Sequence, residues 1–421
     1  MSLAAISAAS VLAGAASAAV EPAPLPQPAT AAPTPPPDAR AFADVFERGK
    51  IIFEVRPRYE GVSQDGLVNR ADAYTVRTHV GWESGSWNGF KGIAELANVT
   101  HIDPVHYNTT INGRKTYPVV GDPDFTQLNR LQLAWTPGRY LTTTVGRQRI
   151  LIDDQRFVGN ANWRQDEQTF DAVKSDANYG RLRGSYIYMW KVNRVFARTL
   201  DWKSDSHLFN VKYAYAEPLL LEGFYYDLRF TTPTAAAKAA STATWGAKLS
   251  GKARVSLFQL AYNATYARQT AAGTNPSRFG LDYWGGDVAG TFDIYTVKAS
   301  YEQLGGDGQR GFATPLATLH AFQGWADVFL TTPAAGIRDA NVSAMLKPRY
   351  KSKYLHNIEL FARYHQFYYQ QNAGSLGSEI DLQATAAISP KISLTLKDAD
   401  YFGVAKFPSR NKVMVGFEYK Y

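Results

Sequence analysis

The sequence predicts an all-β protein, a transmembrane antiparallel up-and-down β-barrel of about sixteen to eighteen strands with long extracellular loops. Three observations predict it: a terminal strand with one apolar face, a long series of alternating segments after residue 50, and connections of very unequal length. Side chains on a strand alternate between its two faces, so the wall of a barrel shows one apolar parity and one polar parity.

The last ten residues, 412–421, show this alternation most clearly. One face carries Val413, Val415, Phe417, Tyr419 and Tyr421, while the other carries Lys412, Met414, Gly416, Glu418 and Lys420. A tilted strand of this length crosses a bilayer. A soluble β protein can end in the same way, so the segment alone does not separate the two readings. Within the whole series we expect it to close the barrel against the strand near Ile51–Tyr59 and to signal assembly.

The connections between the alternating segments are short in some places and long in others. Residues 134–139 and 387–391 contain Pro or Pro-Gly and predict tight hairpins. Residues 99–125, 150–168, 267–280 and 303–323 predict long loops. Short turns at one end and long loops at the other are typical of outer-membrane barrels. The segments 168–176, 279–289 and 324–346 alternate weakly.

The number of strands favours a barrel over a sandwich. A soluble sandwich of this many strands would divide into domains joined by linkers, and no internal linker is visible. A closed barrel needs no domain boundary and leaves no exposed edge. With sixteen or more strands, the lumen is wider than side chains can fill, which indicates a water-filled pore.

The N-terminal region predicts export. Residues 1–19 are small and apolar, and Ala16-Ser17-Ala18 fits a signal-peptide cleavage site, although no Lys or Arg precedes them. A signal-anchor helix is the alternative. Residues 20–44 are rich in Pro and Ala and predict an extended periplasmic linker, so the barrel occupies residues 45–421. The predicted location is the bacterial outer membrane.

The composition excludes several classes of protein. The chain has no Cys, so it has no disulfide framework or thiolate metal site. Its mean hydropathy of −0.28 is too low for a helical membrane bundle. The net charge of +8 is spread along the strands and not clustered, which argues against a nucleic-acid partner.

The sequence gives little support for an enzymatic function. Asp153 and Asp154 could be imagined as paired carboxylates, but adjacent acids in a loop are common. His101 and His106 lack further ligands at metal-binding spacing, and no nucleophile elbow or phosphate loop occurs. We therefore predict no enzyme, no catalytic residue, no metal and no cofactor.

Basic side chains on the polar parity predict an anion-selective lumen. Rings of Arg or Lys select anions, and guanidinium groups bind carboxylates in bidentate fashion. The candidates on predicted strands are Arg56, Arg58, Arg77, Arg181, Arg183, Lys212, Arg229 and Arg363. The open alternative is that these cations pair with Glu54, Glu60, Glu83, Asp227 and Glu359 and merely form a solvated wall.

Two runs interrupt the alternation. Residues 146–164 (GRQRILIDDQRFVGNANWR) are dense in Arg, Asp and amides, and they add Arg147, Arg149 and Arg156 to the pore-lining candidates. This run is either a solvated extracellular loop or a loop folded into the lumen, where such groups would satisfy its backbone. Residues 312–339 (FATPLATLHAFQGWADVFLTTPAAGIRD) are aromatic and irregular, and they predict a capping loop that packs on itself.

Both runs resemble motifs of the alginate-export family of bacterial outer-membrane β-barrels, and the resemblance extends over most of residues 45–421. The motifs are the Gly-Arg-Gln-Arg strand end, the Asp-Asp-Gln-Arg-Phe loop and the stretch from Thr314-Pro315 to Phe329-Leu330. The resemblance implies an 18-stranded monomer with an electropositive lumen that passes an anionic polysaccharide. The chain lacks obvious long lid insertions.

These observations lead to a functional hypothesis and one alternative. The first is a channel that passes anionic saccharides, such as alginate-like uronates, or small anionic solutes by passive diffusion. The second is a structural or adhesive barrel whose loops bind surface polysaccharide without transport. Further expected partners are outer-membrane lipid, lipopolysaccharide and, through the C-terminal strand, the barrel-assembly machinery.

The terminal strand gives a testable prediction. Deleting Tyr419–Tyr421 should block insertion into the outer membrane and leave export to the periplasm intact, because the closing strand would lose its aromatic end. Fractionation and heat-modifiability on gels would measure this. Normal insertion of the truncated chain would contradict the assignment.

Overall fold

The computed structural model describes residues 42–102, 104–196, 198–216, 218–350, 352, 354–372 and 374–421. The predicted signal peptide, residues 1–19, and all but the end of the linker, residues 20–44, lie outside the described residues. Two short helices, α1 (Asp44–Glu47) and α2 (Ala235–Ala240), and two 3-10 turns (Arg198–Leu200 and Leu319–Ala321) accompany the strands. No helix among the described residues is long and apolar enough to cross a membrane.

Eighteen antiparallel strands form one closed sheet. In chain order they are β1 (Lys50–Gln64), β2 (Ala71–Glu83), β3 (Phe90–His101), β4 (Phe125–Trp135), β5 (Leu141–Gln148), β6 (Thr169–Tyr179), β7 (Leu182–Asn193), β8 (Trp202–Ala216), β9 (Leu219–Leu228), β10 (Thr242–Val255), β11 (Phe258–Ala271), β12 (Gly280–Phe292), β13 (Tyr295–Leu304), β14 (Ile337–Leu346), β15 (His356–Tyr369), β16 (Ser375–Ser389), β17 (Ile392–Phe402) and β18 (Arg410–Lys420).

Each strand pairs with the next one along the chain, and β18 returns to pair with β1. At this seam Tyr59 lies opposite Val415, and Arg58 lies opposite Gly416. The predicted up-and-down barrel and its closure by the terminal strand are confirmed. The circular order leaves every strand with two hydrogen-bonded neighbours, so no edge of the sheet is exposed.

The two parities of the strands lie on different faces of the barrel, and most charged side chains are on the inner face. Large apolar side chains such as Leu131, Val288 and Leu382 are about half exposed on the outside. Charged side chains of the other parity, such as Arg77 and Glu95, are buried inside. A soluble protein would show the reverse arrangement, so the apolar outer surface indicates a barrel that faces lipid.

The two ends of the barrel differ as the sequence predicts. Two-residue turns such as 180–181, 256–257 and 293–294 lie at the end that holds both chain termini, and the long connections lie at the other end. The weakly alternating segments 168–176 and 279–289 belong mostly to strands β6 and β12. In the third, 324–346, only residues 337–346 form a strand, because the preceding residues belong to a loop.

Two long loops fold into the lumen. We name residues 149–168 inner loop 1 and residues 305–336 inner loop 2. They meet in a short parallel bridge, in which Gly159 N donates to Leu316 O at 2.8 Å and Thr318 N donates to Gln155 O at 3.0 Å. Of the two interpretations of the 146–164 run, the inward fold is the one observed. The second run packs mainly on inner loop 1 and on the wall, not only on itself.

An aromatic cluster fills one side of the lumen. The ring of Phe157 on inner loop 1 lies 5.1 Å from that of Phe224 on β9 and 5.3 Å from that of Tyr283 on β12. Phe312 of inner loop 2 completes the cluster and is fully buried. Burial of such rings contributes about 25 cal/mol per Å² of apolar surface, so this cluster stabilises the inward position of both loops.

Inner loop 1 also buries the carboxyl group of Asp166, which has no basic partner within 4.0 Å among the described residues. Asp166 is 1% exposed and accepts a hydrogen bond from Gln127 Nε2 at 3.0 Å. Burial, followed by the neighbouring charge of Glu167, raises the pKa of Asp166 well above its usual range. A carboxyl whose pKa is raised by folding destabilises the folded state as the pH rises above its ordinary value.

An arginine on the lipid face should destabilise the barrel. Val288 is 58% exposed on the outer face and lies opposite Tyr262 and Ala299. We expect Val288→Arg to cost about 2 kcal/mol or more in a bilayer, because an arginine meets hydrocarbon there. Unfolding in lipid vesicles with denaturant measures this cost. Ser300→Arg, on the inner face opposite Asp287, is the matched control, and an equal loss from both variants would contradict the assignment of faces.

Replacing the buried acid should stabilise the protein in a pH-dependent way. Asp166→Asn keeps an oxygen acceptor for Gln127 and removes the ionisation, so its thermal unfolding temperature should exceed that of the wild type at pH 7. The difference should shrink as the pH falls towards about 4, where the unfolded carboxyl is protonated as well.

Asp307 provides a control in which folding shifts the pKa in the opposite direction. Burial opposes its ionisation, but backbone N–H groups of Arg310 and Gln309 outweigh that effect and lower the pKa of Asp307. Asp307→Asn should therefore lower the unfolding temperature at pH 7. A neutral-pH gain from both substitutions, or from neither, would contradict the assignment.

Candidate functional site in the lumen

Both inner loops contact the wall formed by β1, β2, β17 and β18 inside the lumen, and we name this region the constriction. Trp163 of inner loop 1 stacks on His320 of inner loop 2, with ring centroids 3.5 Å apart and planes 7° apart. Trp325, also on inner loop 2, continues the stack on His320 at 6.1 Å. The two loops are therefore joined here by three parallel rings, in addition to their backbone bridge.

Five cations surround the two tryptophan rings. The distances from charged group to ring centroid are 4.3 Å for Arg164, 5.0 Å for Arg58 and 5.1 Å for Lys412 at Trp163, and 4.1 Å for Lys397 and 5.1 Å for Arg363 at Trp325. The electron-rich faces of indole attract cations, so the rings hold these charges together.

Some of these cations are neutralised by carboxylates. Arg164 lies 3.1 Å from Asp327, and Lys412 contacts both Asp327 and Glu60. Arg58 pairs with Asp122. Lysine and arginine neighbours lower the pKa of Asp327 well below its usual range, against the opposing effect of burial. The alternative that wall cations pair with acids therefore describes part of the constriction.

Two cations at the constriction have no such partner. Arg56 donates to the carbonyl oxygens of Asn162 (2.8 Å) and Arg164 and to Gln165 Oε1 (3.0 Å), all of which are uncharged. Lys397 Nζ lies 3.5 Å from His320 Nε2. Within the described part of the chain, neither residue has a carboxylate within 4.0 Å, so no direct ion pair neutralises these two cations.

His320 does not add to that charge. Its Nδ1 lies 2.8 Å from Asp327 Oδ1. Burial, together with the nearby Lys397 and Lys412, lowers the pKa of His320 to about 3, although Asp327 opposes this shift. The ring is therefore neutral at pH 7, with Nδ1–H donating to Asp327 and Nε2 turned towards the ammonium of Lys397.

Inner loop 2 is fixed by carboxyl groups of β16. Trp325 N donates to Asp381 Oδ1 at 3.2 Å, and Ala326 N donates to Glu379 Oε1 at 2.7 Å. Gly324 precedes them with a φ of +83°, and a Cβ at this position would collide with the carboxyl group of Glu379. Glycine is required here because the backbone approaches the wall closely in a left-handed conformation.

Inner loop 1 reaches the opposite wall through its acidic tip. Asp153 pairs with Lys212 on β8, and Asp154 Oδ2 lies 3.1 Å from Lys248 Nζ on β10. These two acids are therefore electrostatic anchors, and not the catalytic pair that their adjacency could suggest. Together with the contacts of Arg56, they show that the loop crosses the lumen.

Most of the sequence-predicted residues contact an inner loop or belong to one. They are Arg56, Arg58, Arg77, Arg149, Arg156, Lys212 and Arg363. Arg77, for example, donates to Asn162 Oδ1 at 2.7 Å, and Arg156 pairs with Glu302 on β13. These side chains position the loops at least as much as they line the passage.

The remaining predicted residues lie elsewhere. Arg147 is directly opposite Leu131, which is exposed on the outer face, and pairs with Asp171 at 2.7 Å. Arg229 lies beyond the end of β9, where Asp227 holds it at 2.8 Å. Arg183 faces the lumen opposite Lys212, and Arg181 is exposed in the adjoining short turn. Arg147 therefore shares the outward-facing parity of Leu131 and does not line the lumen.

Sequence reasoning passed over Arg164, Lys397 and Lys412 as members of the site. Lys397 and Lys412 lie on the polar face of their strands, and this alternation would have predicted that they face the lumen. Arg164 ends the 146–164 run. Trp163, His320 and Trp325 carry no periodic signal, because their position depends on how two distant loops meet.

One buried group has a composition suited to a metal ion. Ligand atoms of His79, Glu95 and Glu167 lie within 4.8 Å of one another. Arg130 and Arg149 already hold the two carboxylates, at 3.0 Å and 2.7 Å. A cation would meet two guanidinium groups there, so we interpret the group as an anchor of inner loop 1.

Comparisons with solved structures agree with the fold. Acinetobacter baumannii OccAB2 has a TM-score of 0.71 at 12% identity, with 90% of this chain and 99% of that chain covered. Acinetobacter baumannii OccAB4 has a TM-score of 0.70 at 11% identity (89% and 98% covered). Pseudomonas aeruginosa OpdK, solved with vanillate, has a TM-score of 0.68 at 14% identity (89% and 99% covered). No curated protein sequence matches the chain.

The family comparison covers most of the barrel. The family model described as "Alginate export" matches residues 50–403, which span β1 to the end of β17. Together with the closed barrel and its apolar outer face, this match confirms the resemblance to the family and indicates an outer-membrane channel. The chain belongs to the alginate-export family of bacterial outer-membrane β-barrels.

Proposed function

We propose that this channel passes small anionic solutes, acids of single saccharides such as uronates among them, by passive diffusion through the constriction. The observation that carries the proposal is the presence of two cations at the constriction that no direct ion pair neutralises. Among the described residues, Arg56 and Lys397 contact only uncharged partners there, while neighbouring cations such as Lys412 lie against the rings of Trp163 and Trp325. Cationic constrictions favour anions.

The packing of the lumen supports small solutes over a polymer. Inner loops 1 and 2 are joined by a backbone bridge, by stacked rings and by a buried aromatic cluster. Opening a passage for a polysaccharide chain would break all three sets of contacts at once. A single small molecule needs only the space left between the loops and the wall.

The relatives are compatible with this proposal. Vanillate, the molecule named with the Pseudomonas aeruginosa OpdK structure, is a small aromatic carboxylate. That likeness, at 14% identity, concerns the fold, and the choice of anions here rests on the cations of this chain.

Charge reversal at the mouth should weaken anion selectivity. Arg181 and Arg183 lie at the end of the barrel that holds the short turns. In planar bilayers under a KCl gradient, we expect the wild type to favour chloride over potassium. Arg181→Glu with Arg183→Glu should lower that permeability ratio at least about twofold at low salt, because the field at the mouth changes sign.

The neutral double variant, Arg181→Gln with Arg183→Gln, provides the matched control and should shift the reversal potential by a smaller amount in the same direction. A wild-type channel that prefers potassium would overturn the proposed anion selectivity. A silent bilayer would overturn the proposed passive diffusion.

A further inference from the structure

The acidic tip of inner loop 1 occupies two lysines on the inner wall of the barrel. Asp153 pairs with Lys212 on β8, and Asp154 Oδ2 lies 3.1 Å from Lys248 Nζ on β10. The intervening strand, β9, places Glu222 directly opposite both lysines, so the three wall residues form one row across the sheet. Two adjacent carboxylates of the chain are therefore bound side by side at two cations of the wall.

The tip keeps its shape through contacts within the loop. Ile152 N donates to Val158 O at 3.1 Å, and Gln155 N donates to Ile152 O at 2.8 Å. One oxygen of Asp154 joins this turn, because Arg156 N donates to its Oδ1 at 3.1 Å. The contacts between the carboxylates and the wall lysines can therefore be exchanged while the turn itself stays folded.

Both ion pairs are accessible to water in the lumen. The four paired side chains are between 14% and 26% exposed. Towards the end with the long loops, the inward neighbours Asn210 and Phe224 are buried, whereas Ala214 and Lys252, towards the end with the short turns, are half-buried. Ion pairs open to water contribute only about 0–1 kcal/mol. A solute that enters from the short-turn end can therefore compete with them.

Three carboxylates share two ammonium groups in this row. Glu222 Oε2 lies 3.5 Å from Lys212 Nζ, the same ammonium group that Asp153 contacts. If two carboxylates of a solute replace the two loop carboxylates, the charge balance of the row is unchanged. Linking both carboxylates in one molecule makes the second contact intramolecular, which raises the affinity above that of a single carboxylate.

We propose that Lys212 and Lys248 form a binding site for a small dicarboxylate, and that Asp153 and Asp154 occupy this site until such a solute displaces them. The inference rests on the proposed function and deepens it, since it names dicarboxylates as the favoured class among the small anions. The acidic tip acts as an internal competitor that keeps the site filled in the absence of solute.

The test uses the full-length chain in planar bilayers, with sodium glutarate as the dicarboxylate probe. Glutaramate, in which an amide replaces one carboxylate, is the matched monocarboxylate. Glutarate should reduce the chloride current in a saturable way, and glutaramate should need a concentration about tenfold higher for the same block, because it makes one of the two contacts.

Two double variants should shift the half-blocking glutarate concentration in opposite directions. Asp153→Asn with Asp154→Asn removes the internal competitor and keeps an amide oxygen for the backbone of Arg156, so this concentration should fall about tenfold. Lys212→Met with Lys248→Met removes both cations, so the concentration should rise at least about tenfold.

A matched control separates the site from the general potential of the lumen. Asp287→Asn with Glu359→Gln removes the same charge from the inner faces of β12 and β15, and it should leave the half-blocking glutarate concentration within about twofold. Equal block by glutarate and glutaramate, or block unchanged by Asp153→Asn with Asp154→Asn, would overturn this inference while the anion selectivity of the wild type stands. A wild type that prefers potassium would overturn the proposed function instead.

Discussion

Hydrogen bonds from wall arginines to backbone carbonyl oxygens of inner loop 1 are the interaction on which the rest of the structure depends. An 18-stranded barrel encloses more space than side chains fill, and a loop that enters this space carries backbone groups that need partners. Arg56 and Arg58 donate to carbonyl oxygens of residues 162–164. Because a carbonyl oxygen is uncharged, these bonds hold the loop without cancelling the positive charge.

The lumen combines two kinds of interaction with different roles. On the β9–β12 side, the rings around Phe157 bury apolar surface and supply stabilisation. On the β1–β18 side, ions and carbonyl groups dominate, and buried ion pairs contribute little net stability because desolvation offsets their attraction. The ion pairs and carbonyl contacts on the β1–β18 side therefore position the loops and place charged groups in the lumen. The aromatic contacts on the β9–β12 side stabilise the inward position of the loops. This division allows the constriction to be cationic and the barrel to remain stable.

The sequence predicts the barrel well because its signal is local. Alternation over ten residues identifies a strand such as β18, and the unequal connections identify the two ends. The same alternation predicts which strand residues face the pore, and it correctly places Arg56, Arg58 and Arg77 on the inner wall. The alternation does not predict which group each arginine contacts. It therefore does not distinguish Arg56, which donates hydrogen bonds to uncharged oxygens, from Arg363, which pairs with Asp381.

The inner loops were harder to predict for a physical reason. Their conformation follows from contacts between segments more than a hundred residues apart, such as Ala161 with Thr318 and Arg156 with Glu302. No periodic pattern encodes such contacts. Density of Arg, Asp and amide groups in residues 146–164 marked the segment as unusual, and only the lumen geometry explains why those groups are needed.

The closing seam has a consequence for biogenesis. Arg77 contacts Glu418 across a sequence separation of 341 residues, and Arg58 meets Gly416 only when the first strand pairs with the last. Contacts between such distant segments require the entropic cost of closing a long loop. The constriction is therefore complete only when the seam is closed, and a partly inserted chain with an open seam would lack these contacts. The proposed anion selectivity would then be acquired only when the barrel is structurally complete.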